Sequence, residues 1–569
     1  MSTALSAGVT GLQAHQRMLD VSGNNIANVN TTAFKSSRIN FAELISETFA
    51  RASQPTSTVG GTNPQQIGSG VGISGITLNM TQGNIVKTGN PLDLAIEGAG
   101  YFVLSNGQQD VYTRAGAFTT DLGNNLVDPA TGYKVQRIGS VGESDGFQTV
   151  GNSEILIPYN IALPASATSL VSLSGNLSSD TDLATPQVQK IASAITYTVS
   201  DESASLTTPM DELDQFSGGS GTGGKLDLAD GESGTITIAG YQPDGTAINS
   251  TFTVGTDGEA TPECVTLGDF VDHLNTVLNG ATASLVNGKL QILDDSSGYS
   301  TTDISLSYSA DGSSGSNLTD PACFEVMVAG GTEVKNSTQT IYDSQGGEHS
   351  LNISFVRNDS DNSWDMLVTS ISGDIANLGL DARRVTGISF NADGSFDSCS
   401  DTAALAVTFG NDTSTVQAID ILLGTSGELD GLTSYSGSST AFIKDQDGYE
   451  SGTLSSFSVN KNGVIVGSFT NSIKRDIGTI QLALFQNAAG LESVGGGYYI
   501  PSANSGEAIA TQGLTGGAGA IHGSSLEKSN ADVATEFINL IEAQNGYQAN
   551  ARTISVANAI LQELTNLIR

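Results

Sequence analysis

Several stretches of this chain imitate motifs that carry chemistry. Gly70-Val71-Gly72-Ile73-Ser74-Gly75 has the spacing of a dinucleotide-binding turn, whose function depends on a helix N-terminus to hold a pyrophosphate. Here it follows a Pro/Gly-rich stretch and leads into strand-like alternation, so no such helix is expected. Gly219 to Lys225 approaches a phosphate loop, but Leu226 stands where a Ser or Thr would bind magnesium, which leaves a flexible glycine loop. Asp445-Gln446-Asp447-Gly448 and Asn391-Ala392-Asp393-Gly394 resemble the start of calcium loops. Neither continues to a bidentate Glu at the required spacing, and Asp-Gly is an ordinary turn dipeptide.

His15, His273, His349 and His522 are scattered singly, without the grouping that a zinc site or a triad needs. Cys264, Cys323 and Cys399 are odd in number and far apart, which implies small core residues rather than a disulfide framework or a metal site. Trp364 is read as core. No catalytic residue, cofactor or metal is therefore expected.

Composition narrows the remaining classes. The 569 residues carry 59 acidic and 22 basic side chains, a formal charge of -37. That balance excludes a phosphate backbone and an anionic membrane surface as partners, since both require clustered Lys and Arg. It favours solubility and mutual repulsion of free monomers. Sixty-eight glycines with 14% charged residues suit short strands joined by tight turns, and the length predicts several domains. The first residues, MSTALSAGVTGLQ, carry neither a basic n-region nor a long apolar run. They are read as neither secretory signal nor anchor, and no membrane insertion is expected. A role outside the cell would require export without a cleaved signal.

The elements left to explain are the two ends. From Val533, steps of four and three pass through Phe537, Leu540, Gln544, Tyr547, Ala551, Ile554, Asn558, Leu561, Thr565 and Ile568, a heptad seam in one long helix. Ile541, Val556, Ile560, Leu564 and Leu567 widen it into a stripe, and Ser529, Asn530 or Asp532 could cap its start. Leu5, Val9, Leu12, Gln16, Leu19, Gly23 and Ile26 make a shorter matching seam at the other end. A coiled coil closing one subunit would leave the wider stripe partly bare, so burial between neighbouring subunits is the favoured alternative.

Between the ends the period changes to two. The expected fold class is mainly β and multidomain with α-helical termini, in which nested discontinuous β domains are flanked by N- and C-terminal coiled-coil helices. Residues 1–30 and 525–569 form the helical termini, and 31–71 a connector without periodicity. An inner β domain is expected from 72–148 and 443–524, with turns at Gly83-Asn84, Gly123-Asn124 and Asn462-Gly463. A middle β domain from 149–183 and 328–442 encloses an inserted outer domain, 184–327, with one lone helix in LGDFVDHLNTVLNG.

Three stretches carry a family resemblance. LSAGVTGLQAHQRMLDVSGNNIANVNTTAFKSSR, from Leu5 to Arg38, resembles the N-terminal signature of the bacterial flagellar rod and hook proteins, with Asn24, Asn25, Ala27, Asn28, Asn30, Phe34 and Lys35 as its signature positions. NMTQGNIVKTGNPLDLAIEGAGYFVL with YTRAGAFTTDLGNNLVDPATGYKVQ is similar to their shared β domain, and VATEFINLIEAQNGYQANARTISVANAILQELTNLIR to their C-terminal helix. Length and the segment Tyr342 to Val356 point to the hook members; the stretch 184–327 departs from shorter ones.

The resemblance implies a non-enzymatic subunit of an extracellular tube, a curved universal joint between rod and filament whose terminal helices line an export channel. Implied partners are other copies of the chain, the distal rod and hook–filament junction proteins, the hook cap, and the flagellar type III export apparatus. The polymerisation interface is then expected at Leu5, Val9, Leu12, Leu19, Ile26, Val533, Phe537, Leu540, Tyr547, Ile554, Leu561 and Ile568. Full burial of each Leu or Ile would contribute about 1.5–3 kcal/mol. Gln544 and Asn558 would either fix register between subunits or face the channel. The competing class is a surface adhesin or glycan-binding module built on the outer β domains.

Overall fold

The computed structural model describes residues 2–180, 185–227, 231–255, 265–311, 315–321, 323–358, 363–379 and 383–567. Two expected residues, Cys264 and Ile568, lie outside them. The chain divides into two compact units, one formed by 1–163 with 452–569 and the other by 164–451.

In the first unit the two ends of the chain interleave. Helix α1, Ser2–Ala27, lies against the last helix, Val533–Leu567. After α1 come β1, Ser37–Glu43; β2, Ser46–Ala50; β3, Gln65–Gly68; and β4, Val71–Leu78. β1 pairs antiparallel with β4, and β2 with β3, in two successive two-stranded ladders. The connector expected over 31–71 thus contains three paired strands, and Val71–Leu78 belongs to this ribbon rather than opening the β domain. Its apolar residues do not alternate into a core. Ile45 is 86% exposed and Phe49 67% exposed, so the burial signal that marks a strand is missing from the sequence.

The β domain proper begins at Ile85–Lys87 and Leu94–Glu97, which pair with Ser525–Glu527 and Ala520–Gly523 from the far end of the chain. A nine-stranded sheet mixes strands from 101–135 with strands from 482–511. Tyr101, Tyr112, Tyr499 and Phe485 pack edge to face within it, at centroid separations of 4.9–5.8 Å. A second sheet contains Gly452–Val459, Val464–Phe469 and Lys474–Thr479, closed by Ala162–Leu163.

The second unit has two cores. Leu170–Ser178 pairs in parallel with Gln417–Leu422 and Leu432–Tyr435, and antiparallel with Phe442–Gln446. A five-stranded antiparallel sheet runs from Val334–Tyr342 to Phe396–Ser398. Phe355, Trp364, Val368 and Ile388 are buried between these layers, and Cys323 joins this core. Cys399 is half-exposed at its edge rather than enclosed.

The other core gathers the inserted strands around α2, Leu267–Val277. This helix is fixed by a capping box in which Thr266 and Asp269 satisfy each other's backbone N–H. Val356 and Leu367 of the five-stranded sheet contribute to it as well. Nη1 of buried Arg383 donates to both carboxylate oxygens of Asp303, at 2.8 and 3.0 Å.

The motif look-alikes resolve as structure. Asn391 to Gly394 is a turn closed by Gly394 N–H donating to the Asn391 carbonyl at 2.9 Å. The Asp447 carboxylate accepts from the backbone of Ser169 and Leu170. No group of metal-ligating side chains occurs among the described residues.

Candidate assembly interface

The two terminal helices meet along a narrow, small-residue seam. A Cβ added at Gly11 would lie 2.7 Å from the Asn550 side chain, and one at Gly546 would lie 2.4 Å from the His15 ring. Any larger residue would have to displace the Asn550 or His15 side chain. Ala14 and Ala543 are buried on the same seam. Gly8 faces Ile554 and Asn25 faces Glu536, so the helices run antiparallel in constant register.

The base of the hairpin is locked by polar groups that are fully used. Asn25, entirely buried, donates to the Ser37 carbonyl at 2.8 Å and to Glu536 Oε1 at 2.9 Å, and accepts from Ser37 N–H at 2.9 Å. One side chain thereby ties α1 to β1 and to the last helix, labelled α3. Buried amides are retained where every hydrogen bond is made, because an unpaired one costs about 1–3 kcal/mol. Asn28 bonds back to Asn24 and accepts from Thr31, shaping the turn after α1.

Lys35 reaches Glu527 Oε1 at 2.6 Å and the Thr81 carbonyl at 2.8 Å, while Arg114 holds Glu527 Oε2 at 3.3 Å. Burial pulls the Lys35 ammonium below the usual lysine range, and Glu527 opposes that shift. Asn530 donates to the carbonyls of Asn79 and Thr81 and accepts from Ser36 N–H. Of the three candidate caps, Asp532 starts α3: it accepts from Ala534 N–H and the Thr535 hydroxyl. These bonds hold its carboxyl below the usual range, the Thr535 bond most of all. Among the other signature positions, Asn24, Ala27 and Asn30 are exposed and Phe34 is half-buried.

The ribbon docks on an adjoining side of α1. Val71 N–H donates to the Thr10 hydroxyl at 3.3 Å, and His15 lies against Phe41 at 5.9 Å between centroids. Gly70, first of the nucleotide-turn look-alike, sits at φ 130°, where a Cβ would be 2.3 Å from Thr10 Oγ1. Its glycine is required by close approach to α1.

The expected interface residues are therefore placed as follows. Leu5, Leu12, Leu19, Ile26, Leu540 and Ile554 are half-buried; Val9, Val533, Phe537, Tyr547 and Leu561 are exposed. Within one chain the apolar seam residues do not form the tightest contact. Gly8, Gly11, Ala14, Ala543 and Gly546 do, together with the Asn25–Glu536 pair. Of these, sequence reasoning marked only Asn25, as a signature position; it missed the glycines and alanines, although their recurrence at helical spacing was a visible signal.

On α3 a broad apolar stripe stays open: Phe537, Ile538, Ile541, Val556, Ile560, Leu564 and Leu567 are all exposed. No helix among the described residues is long and apolar enough to cross a membrane.

A multidomain β chain with a polar-locked helical hairpin and an open apolar stripe belongs to the class of self-associating structural subunits. Four family models match separate segments of the chain: "Flagella basal body rod protein" at 5–35, "Flagellar hook protein FlgE/F/G D1 domain" at 95–196, "Flagellar basal body protein FlaE D2 domain" at 300–449, and "Flagellar basal body rod FlgEFG protein C-terminal" at 522–567. The chain is 30% identical to the flagellar hook protein FlgE of Borreliella burgdorferi and 30% identical to that of Treponema pallidum, with all of each chain covered. It is 25% identical to the FlgE of Salmonella typhimurium over 99% of its length and the whole of that protein. A crystal structure of Helicobacter pylori FlgE2 aligns with 78% of the chain at 18% identity and a TM-score of 0.40. The chain belongs to the flagellar hook protein FlgE family. It is a structural subunit of the bacterial flagellar hook.

Proposed function

We propose that this chain polymerises through its terminal helices into a curved, flexible tube that links rod to filament and encloses the export channel. The reading is carried by the α3 stripe, which pairing with α1 leaves bare. A helix with such a stripe is marginal in water by itself, and copies that cover it would stabilise it. Folding of the ends and growth of the tube are then coupled. The described residues of the proposed interface, Leu5, Val9, Leu12, Leu19, Ile26, Val533, Phe537, Leu540, Tyr547, Ile554 and Leu561, are half-buried or exposed and available for this burial.

The role is mechanical rather than catalytic, and is carried out outside the cell. The subunit would pass through the flagellar type III export apparatus, add beneath a hook cap, and meet the distal rod and hook–filament junction proteins at the two ends of the tube. The glycan-binding alternative draws no support from the relatives.

Leu561→Asp places a charge on a side chain that is 38% exposed in its own chain. The variant should be exported and folded but unassembled, seen as soluble subunit in the medium and absent hooks by electron microscopy. Hooks of normal length and number would overturn the reading.

A further inference from the structure

His349, near the start of strand Glu348–Asn358, is buried at one end of the five-stranded sheet of the second unit. Both of its ring nitrogens face oxygen: Nδ1 lies 2.8 Å from the Ser372 carbonyl and Nε2 lies 3.1 Å from Asp343 Oδ2. The carbonyl can only accept. Asp343, also buried, accepts from Gln345 N–H and Gly347 N–H at 2.8 Å each and from the Asn411 amide at 2.6 Å. Burial pushes its carboxyl up, but these bonds and the one from His349 outweigh burial and hold it below the usual carboxylate range, so it too is an acceptor. Two acceptors require two N–H groups, and only the imidazolium has both. Phe409 lies against the ring at 4.2 Å between centroids, and a Cβ at Gly373, φ 101°, would stand 2.5 Å from Nδ1, so the ring is clamped where it stands. Of the other carboxylates nearby, Glu348 is exposed beside Tyr342, Asp374 packs on Gly410 and Asp412 accepts from the Ser414 hydroxyl. Among the described residues, Asp343 is the one that pairs with the ring.

We propose that the His349 imidazolium is a proton-dependent bolt: it pins the loop 343–347, by which the second unit grips the two stretches of chain that enter and leave it, and loss of one ring proton loosens that grip. The chain crosses between the units at 163/164 and 451/452. Just inside the second unit, Ser166 and Tyr449 exchange backbone hydrogen bonds at 2.9 and 3.0 Å. The loop touches both stretches. Tyr342, which precedes it, accepts from Thr168 N–H at 2.9 Å and donates its own N–H to the Thr168 hydroxyl at 2.8 Å, and that hydroxyl donates to Gln446 at 3.0 Å. Gly346, at the tip with φ 85°, approaches so closely that an added Cβ would lie 2.7 Å from that of Ala165 and 3.3 Å from the Glu450 Cα. A neutral ring has one N–H. It keeps the bond to Asp343 or the bond to Ser372 and turns a lone pair on the other oxygen. The pinned loop is therefore favoured at low pH, where the ring holds both protons, and its stabilisation is lost as pH rises through the titration of the ring.

The test uses the soluble full-length chain. Nuclear magnetic resonance of histidine-labelled subunit, with the His349 ring assigned by its contact with Phe409, follows the two ring nitrogens through a pH series. Amide hydrogen exchange, expressed as protection factors, follows the loop and the connecting stretches in the same series. As the ring passes from doubly to singly protonated, protection of Gln345, Gly347, Thr168 and Tyr449 should fall roughly ten- to hundred-fold, the worth of one charge-assisted hydrogen bond. Protection of Phe355, inside the sheet, should stay put. His349→Gln should show the loosened value at every pH, and Asp343→Asn should lose the pH dependence because its amide can donate to the neutral ring. A ring that is neutral wherever the unit is folded would overturn the proposal, as would a ring that stays charged until the unit unfolds. So would protection that ignores the titration, or a pH dependence retained in His349→Gln. Should either variant fail to fold, agreement or divergence of the two titrations in the unaltered chain decides the matter.

Discussion

The two units of the chain are nearly equal in length and opposite in surface chemistry. Residues 164–451 carry 40 acidic and 8 basic side chains, a net charge of -32. The unit of 1–163 and 452–569 carries 19 and 14, a net charge of -5. The acidic unit encloses two continuous apolar cores, whereas the near-neutral unit keeps an apolar helix face open along α3. Repulsion and adhesion are thus segregated along one sequence. Charges on the acidic unit discourage indiscriminate association, weakening over a Debye length of about 8 Å in physiological salt. The stripe remains free to bind wherever a copy presents a matching surface.

The comparison makes a first, large prediction. Phe355 is fully buried in the acidic unit, and Phe355→Ala should cost about 3–5 kcal/mol of stability, measured by denaturant unfolding of the soluble full-length subunit. An effect below about 1 kcal/mol would mean that this core does not stand on its own packing.

Glu527→Gln tests the other unit at a fully buried cluster of charge. Glu527 is the shared acceptor of Lys35, Arg114 and Gly83 N–H. Removing its charge leaves two buried cations without their counter-ion, at a cost of about 3 kcal/mol. The loss should appear as protease sensitivity of the segment joining α1 to the ribbon, with the acidic unit unaffected. Equal sensitivity throughout would show that the two units do not respond separately.

How much of this was legible in the sequence depends on where each signal lies. The long C-terminal seam is a local period, so α3 and its stripe can be read directly from Val533 to Leu561. Turns such as Asn462-Gly463 are local as well, and the hairpin they close is present. The close contact of Gly11 with Asn550, and of His15 with Gly546, depends on a register between segments over 500 residues apart, which no periodicity contains. Asn25 and Lys35 could be marked as signature positions, but their partners Glu536 and Glu527 could not. The ribbon escaped detection for a different reason. Its strands bury little in their own chain, so Ile45 and Phe49 lack the in-and-out alternation by which a strand is recognised.

The smallest predicted change is the most discriminating. Ile541 is 56% exposed on α3, and Ile541→Ala removes apolar surface that the folded chain does not bury. Alanine is also the better helix former by a few tenths of a kcal/mol. Stability of the soluble subunit should therefore change by less than about 0.5 kcal/mol, or rise slightly. In the tube the same side chain would be covered by a neighbouring copy, and its truncation removes about 1–2 kcal/mol of burial per contact. The critical concentration for polymerisation should then rise about five- to thirty-fold while thermal melting of the monomer stays put. A destabilised monomer with unchanged polymerisation would reverse the comparison, because it would make the stripe part of the chain's own core. Set beside Phe355→Ala, the pair of variants separates apolar residues that fold the subunit from apolar residues reserved for its neighbours.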